Sequence, residues 1–530
     1  MNLSGHLVKS ILTGAGAFIV RSGLNLLFIP VFFRLLGTET FGFYLFLLTF
    51  SEFLMMFDAG LTAGIIHRLS QHIAVEQIHK IKQTLCIAQW LYLSISFLLI
   101  FFGSLIAPVM ANQFHVPHMV GNLGCLAFQI VFFDAGINLI SYYFQSILQA
   151  RLHYQQTNLT EMAHSILCNG LGVLAVMLGG SLLEVLLIRL GVTSLRCFYL
   201  FIAAKRVEAY VFQRPKDFSV RAFKDIFEIS FFALIRNISV QIAHRIDELI
   251  IGFFMGMASV ALYGLVLRIF NQLSQLALKM IEVVFPVFAR LASTSDMTQA
   301  RFLFLRTSSM MHYTIGVLIL LIFGSFPEII ALLGSGKVTV LQTLPLAILM
   351  AIVIWSSSLQ MPAGNYLFAS GKHRFQTIST FITAFTNLGL SLLLVKPLGL
   401  IGVILGTLIP HLIQHHVFTI FMACRQMGIP PMQYIRTVYL CNALPLLSLA
   451  IPLVWVRLSV ENPGILLIAS SAAGVLGSLF LWYFLAASEY EKQFIRKTLS
   501  RILAGKLAKP SATSVQPAQK TLSNASGSTI

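Results

Sequence analysis

Runs of about 20 apolar residues recur along the chain, separated by short polar turns, as expected of helices that cross a hydrocarbon layer of about 30 Å. They begin near residues 11, 41, 83, 119, 158, 181, 227, 258, 305, 341, 375, 399, 437 and 463, which predicts about 14 transmembrane helices and an all-α, polytopic membrane protein. Composition agrees: of 530 residues, 57% are hydrophobic and only 10% charged, whereas soluble domains carry about a quarter charged residues. The run after Lys9 continues to Leu36 without a cleavage site, so it reads as a first span that stays in the chain.

The basic residues set an orientation. Intervals after even-numbered spans, Lys9 and the C-terminal tail together hold about 25 Lys and Arg, against about three (Lys337, Lys396, Arg457) on the other side, so both termini are expected in the cytoplasm. The net charge of +17 then belongs to loops and tail facing anionic lipid, not to a nucleic-acid groove. The six cysteines form no C-x-x-C pair, which argues for buried packing and against metal sites or disulfides.

The two halves resemble each other. GTETFGFY (Gly37 to Tyr44) and GMASVALY (Gly256 to Tyr263) carry Gly and Tyr at the same spacing, and the same displacement takes Gly180 to Gly399. This predicts a parallel repeat of two six-helix lobes plus two extra C-terminal helices. The expected divisions are an N-terminal lobe at 1–204, an amphipathic cytoplasmic linker at 205–226, a C-terminal lobe at 227–430, spans thirteen and fourteen at 431–488, and a basic, then disordered, tail at 489–530.

Polar residues inside the spans fall on single faces. In RIFNQLSQLALKMIE, Arg268, Gln272, Gln275, Lys279 and Glu282 share a helical stripe with Asn271 at its edge, and such a stripe must face protein or water. Span seven carries Asn237, Gln241, His244 and Glu248 on one face, flanked by Arg245 and Asp247; span four carries Asp134, Asn138, Ser141, Gln145 and Gln149; span one offers Arg21 and Asn25, and span two Glu52 and Asp58. Arg34, near a span end, reads as a snorkelling residue. For Arg21, Arg236, Arg245 and Arg268 two readings stand: contacts to an anionic substrate, or buried ion pairs with Glu52, Asp58, Asp134 or Asp247. Lys279 and Glu282 suit a gate or an ordinary pair at i, i+3. His244 is read as the only histidine well inside the membrane region of the second half.

No G-x-x-x-x-G-K-S/T, H-E-x-x-H or G-x-S-x-G occurs, and the outward loops are short. ATP use on this chain and a catalytic surface at the membrane face are therefore not expected, and neither is a cofactor.

FFRLLGTETFGFYLFLLTF (Phe32 to Phe50) followed by MMFDAGL, RIDELIIGFFMGMASVALYG (Arg245 to Gly264), and the stretch from FASGKHRFQ to GVILGTLI resemble the polysaccharide-export or oligosaccharide flippase family that includes O-antigen flippases. The resemblance covers most of residues 1–430. It implies kinship with multidrug antiporters and the lipid II flippase, two bundles in a V, alternating access, and transfer of an undecaprenyl-pyrophosphate-linked glycan across the bacterial inner membrane. It also implies a cation-lined cavity, with Arg21, Arg236, Arg245 and Arg268 holding the headgroup among Asn25, Asn237, Gln241, Asn271, Gln272 and Gln275. An ion gradient would act through Asp58, Asp134, His244 or Asp247, and a polymerase and glycosyltransferases would be partners. The alternatives are a lipid II flippase, a multidrug or organic-cation antiporter, and, further off, a membrane glycosyltransferase or polymerase.

Overall fold

A bilayer offers no water to satisfy backbone N–H and C=O groups, so a chain this apolar must close its hydrogen bonds within helices. The computed structural model shows this; it describes residues 27–58, 60–114, 123–213, 220–294, 297–459 and 464–487, with isolated positions 23, 116 and 492. The described helices are α1 (Leu27–Leu36), α2 (Thr38–Leu54), α3 (Leu61–Ala74), α4 (Ile78–Gln113), α5 (Gly124–Ala150), α6 (Tyr154–Met177), α7 (Leu182–Val207), α8 (Val220–Met255) and α9 (Met257–Thr294). They continue as α10 (Met297–Gly324), α11 (Phe326–Leu333), α12 (Val340–Ala369), α13 (His373–Leu412), α14 (Phe421–Met427), α15 (Pro431–Tyr434), α16 (Cys441–Ser459) and α17 (Gly464–Leu485). Two π-helical stretches, Ile413–Ile420 and Ile435–Leu440, join α13 to α14 and α15 to α16.

Eleven described segments are long and apolar enough to cross a membrane, fewer than the 14 spans expected from the sequence. Three features account for the difference. The Arg374–Met427 segment has 54 residues, enough for two crossings at 1.5 Å per residue, and Gly399 interrupts it with a left-handed turn (φ 59°, ψ −135°). Helix α8 has 36 residues but is too charged to count by apolarity. Of the expected first span, only Leu27–Leu36 is described as a helix. The expected linker at 205–226 is divided differently: α7 runs on to Val207 and α8 already begins at Val220.

In the first half, α5 packs against α4 and α7 with α2 over it, and in the second, α8 packs on α13, α9 on α12, and α16 on α10 and α17. Phenylalanines of α2 interleave with those of α5, with Phe50 and Phe132 edge to face at 5.5 Å. The halves meet where α2 lies along α9. A Cβ on Gly42 would sit 1.8 Å from the Met257 carbonyl oxygen, so only hydrogen at this position lets the two backbones approach so closely. The paired glycines of the repeat, Gly37 and Gly256, share a positive φ (81° and 80°) at the starts of α2 and α9.

A candidate central polar site

Positions 237, 241, 245 and 248 of α8 follow the spacing of one helical face. Gln241 donates to the Glu52 carbonyl at 3.0 Å, and Arg245 meets the Glu52 carboxylate at 2.6 Å. One turn further, Glu248 pairs with Arg268 of α9 at 3.3 Å, and Arg268 also donates to the Gly264 carbonyl. Helices α2, α8 and α9 are thus tied together by alternating acid and base. Arg245 and Arg268 do form ion pairs here, with Glu52 and with Glu248; the latter was not among the partners expected from the sequence. Each arginine keeps donors to spare, because a guanidinium has five N–H groups. Asn237, Asn271 and Gln275 are partly buried, and Gln272 Oε1 is buried without a hydrogen-bond partner among the described residues. Lys279 and Glu282 form an exposed pair at 2.9 Å. Arg21 and Asn25 lie outside the described residues, as do the side chains of Arg236 and His244, although α8 carries the latter two positions.

The first half contributes a second arginine set that sequence reasoning missed. Arg189 Nε meets the buried Asp134 carboxylate at 3.1 Å. Arg196 donates to Asn138 Oδ1 at 3.4 Å and Gln145 Oε1 at 3.3 Å, and Gln145 in turn donates to Glu161. Arg189 and Arg196 are seven apart in an otherwise apolar run, so they share a face of α7; that interruption was the available signal. Tyr44 of α2 lies within electrostatic reach of Arg189, Asp134 and Arg268, and so links the arginines of the two halves. Asp58 is occupied differently, accepting from Tyr92 at 2.6 Å and from the Thr62 hydroxyl and amide. It thereby satisfies the first turn of α3, as a carboxylate before a helix N-terminus does.

Asp247 turns away from the arginines. Its Oδ2 accepts from Tyr263 at 2.8 Å and Thr407 at 2.7 Å, and its Oδ1 is buried with no partner among the described residues. Around it gather neutral oxygens: Thr407 Oγ1 lies 3.1 Å and Ser391 Oγ 3.0 Å from Asn387 Oδ1, and Ser391 also donates to the Val403 carbonyl. Beyond Thr407 lies a group of histidines. The expectation that His244 alone sits inside this half is corrected: His312, His411 and His415 are buried and His416 is close by. His312 lies on α10, His411 in the last turn of α13, and His415 and His416 in the π-helical stretch that continues it.

This architecture is that of a multi-pass helical membrane protein. The lipid II flippase MurJ in its inward closed conformation matches with a TM-score of 0.68 at 15% identity, over 92% of this chain and all of that one. An inward-facing multidrug resistance MATE family transporter of the MOP superfamily matches with 0.62 at 17%, over 79% and 98%. A MOP superfamily transporter from Pyrococcus furiosus, described as having reverse polarity of its binding pocket, matches with 0.53 at 15%, over 79% and 95%. No curated protein matches by sequence. The chain belongs to the polysaccharide biosynthesis protein family, whose profile matches residues 7–292.

Proposed function

We propose that the protein is a flippase that carries a polyprenyl-pyrophosphate-linked oligosaccharide from the cytoplasmic to the periplasmic leaflet of a bacterial inner membrane, by alternating access and at the expense of an ion gradient, during cell-surface polysaccharide synthesis. The observation that carries this reading is a pair of arginines in each half, Arg189 and Arg196 in the first and Arg245 and Arg268 in the second, each held by a carboxylate or amide that a phosphate can replace, with Tyr44 within electrostatic reach of Arg189 and Arg268. A pyrophosphate with its sugars does not cross hydrocarbon unaided, since unpaired charge and hydroxyls are costly to desolvate. Forked guanidinium donors match phosphate oxygens, and Asn237, Gln241, Asn271, Gln272 and Gln275 offer neutral partners to sugar hydroxyls. The acids hold the arginines in place while the site is empty, and exchanging them for phosphate avoids leaving either charge unpaired.

The lipid chain has its own environment. A recess of 680 Å³ between α10, α12 and α16 is lined by Ile319, Phe323, Ile348, Trp355, Leu446 and other apolar residues, suited to a polyprenyl tail kept apart from its headgroup. Asp247 is the group we assign to coupling, because a buried carboxylate oxygen without a partner among the described residues draws a monovalent cation or a proton. Both termini are then cytoplasmic, in line with the positive charge of the inner loops. Glycosyltransferases supply the lipid-linked glycan, and a polymerase takes it up.

A multidrug antiporter is the other reading that the fold permits. A pocket for organic cations needs acidic and aromatic lining, whereas in the central polar site the acids Glu52, Glu248 and Asp134 are each already paired with an arginine. In cells lacking the native protein, Arg268→Ala should reach the membrane in normal amount yet lower outward delivery of lipid-linked glycan by about 10- to 100-fold, the value of one charge-assisted hydrogen bond or two. Normal delivery together with resistance to cationic drugs would favour the antiporter.

A further inference from the structure

The histidines beyond Asp247 form an ordered string. Ser356 of α12 lies between two of them, its Oγ 3.0 Å from His415 Nδ1 and 3.1 Å from His416 Nε2. The other nitrogen of His416, Nδ1, is 3.3 Å from the Tyr439 hydroxyl. On the opposite side the His415 ring faces His411 with centroids 5.2 Å apart. His411 Nδ1 is 2.7 Å from the Thr407 carbonyl, which only accepts, so Nδ1 carries a proton and Nε2 is the basic nitrogen of the neutral ring. Thr407 in turn holds Asp247. The string therefore runs from Tyr439, in the π-helical stretch after α15, to the threonine that anchors Asp247.

A structural role would need only one hydrogen bond per ring, and aliphatic residues would fill the same space without burying polar atoms. Two features point past packing. A serine hydroxyl has one proton, so between two imidazoles it donates to one and accepts from the other; this junction is polarised and can reverse. His415 and His416 also lie where the helix widens to π geometry over Ile413–Ile420, directly after His411, a distortion frequent at functional sites.

We propose that His416, Ser356, His415 and His411 form a proton relay inside the C-terminal half that delivers the coupling proton beside Asp247. In the transfer step, protonated His416 gives its Nε2 proton to the Ser356 oxygen while Ser356 gives its own hydroxyl proton to His415 Nδ1. One N–H and one O–H bond break, one O–H and one N–H bond form, and a single positive charge moves from His416 to His415; rotation of the hydroxyl resets the junction. His415, protonated at both nitrogens, then gives its Nε2 proton to Nε2 of His411, one N–H bond breaking and one forming, so that the charge lies one residue, Thr407, from the Asp247 carboxylate. The groups facing the string are Asp247 on α8, reached through Thr407, with Tyr263 on α9 bonded to it, His312 on α10, Trp355 on α12 and Tyr439; of these, Asp247 is the only carboxylate, and its neighbour Glu248 is paired with Arg268. Trp355 Nε1 donates to His312 Nδ1 at 3.0 Å, which makes His312 a bystander with one nitrogen occupied.

The proposal rests on the transporter reading only in taking Asp247 as the coupling group. Its test needs no glycan, so its failure leaves the flippase reading standing. The full chain is reconstituted in phosphatidylethanolamine and phosphatidylglycerol vesicles with a trapped pH dye, and proton uptake is followed under an imposed potassium–valinomycin potential between about pH 5 and 8, where histidine changes charge. Wild-type protein should take up protons above the level of empty vesicles. Ser356→Ala, which keeps both imidazoles and removes the junction, should lower uptake by at least about tenfold, and Ser356→Thr, which keeps a hydroxyl, should recover most of it. A variant with Trp355 as sole tryptophan reports by its emission maximum that the cluster is intact in each case. Uptake by Ser356→Ala equal to wild type, or no wild-type uptake with the cluster intact, overturns the relay.

Discussion

On the α5–α7 side, the buried Asp134 meets Arg189 at 3.1 Å; on the α8–α13 side, the buried Asp247 meets only hydroxyls, those of Tyr263 and Thr407. Both acids sit inside spans, and both leave one oxygen without a partner among the described residues. The difference lies in what compensates them. A guanidinium in contact fixes Asp134 as half of a permanent pair, and the pair is available as a unit to exchange with an anion. Asp247 has no such neighbour among the described residues, so its compensation has to arrive as an ion. In the proposed reading, the same residue type serves an arginine pair in one place and cation coupling in the other.

The comparison breaks most visibly at Asp134. Asp134→Ala leaves Arg189 uncompensated inside the membrane and should destabilise the protein by about 3–5 kcal/mol, seen as a lower midpoint of thermal unfolding in detergent. Asp247→Asn keeps a side chain of the same shape and should change stability by less than about 1.5 kcal/mol. It should nevertheless abolish the dependence of glycan delivery on the ion gradient, measured in vesicles with and without that gradient. A stability loss at Asp247 as large as that at Asp134 would mean that both acids are structural.

The periphery supplies weaker comparisons. Arg457 donates to both carboxylate oxygens of Glu328 on α11, outside the spans, and these hydrogen bonds hold the Glu328 carboxyl below the ordinary carboxylate range. Since the folded value is depressed, the pair stabilises above the unfolded value of about 4.3, and this contribution fades as the pH falls through the folded value. The difference in unfolding midpoint between wild type and Glu328→Gln should therefore shrink on acidification below about pH 4. The exposed pair Lys279–Glu282 is worth less still, and Lys279→Ala should cost under about 0.5 kcal/mol by the same unfolding assay.

Much of this arrangement was legible from spacing. The polar stripe on α9 and the face of α8 appear where helical periodicity places them, with Arg268 of one paired to Glu248 of the other and Arg245 paired to Glu52 of α2. Partner choice was not legible, because Glu248 reaches Arg268 through the crossing of α8 and α9, which no single-helix pattern encodes. Arg189 and Arg196 stood in plain view within a mostly apolar run, but with only Thr193 between them on that face of α7 the stripe was too short to stand out. The histidine string was hidden for another reason. It depends on a local change of helix geometry after Leu412 and on Ser356, a small residue from α12 that carries no signal of its own.

The central claim is that the arginines of both halves carry a lipid-linked pyrophosphate. The most direct test reconstitutes the full chain with a fluorescently tagged polyprenyl-pyrophosphate oligosaccharide and follows its transfer between leaflets by a membrane-impermeant quencher. Wild-type protein should accelerate the transfer, and Arg189→Gln and Arg268→Gln should each slow it by about 10- to 100-fold with the fold intact. Transfer by both variants at the wild-type rate would contradict the account.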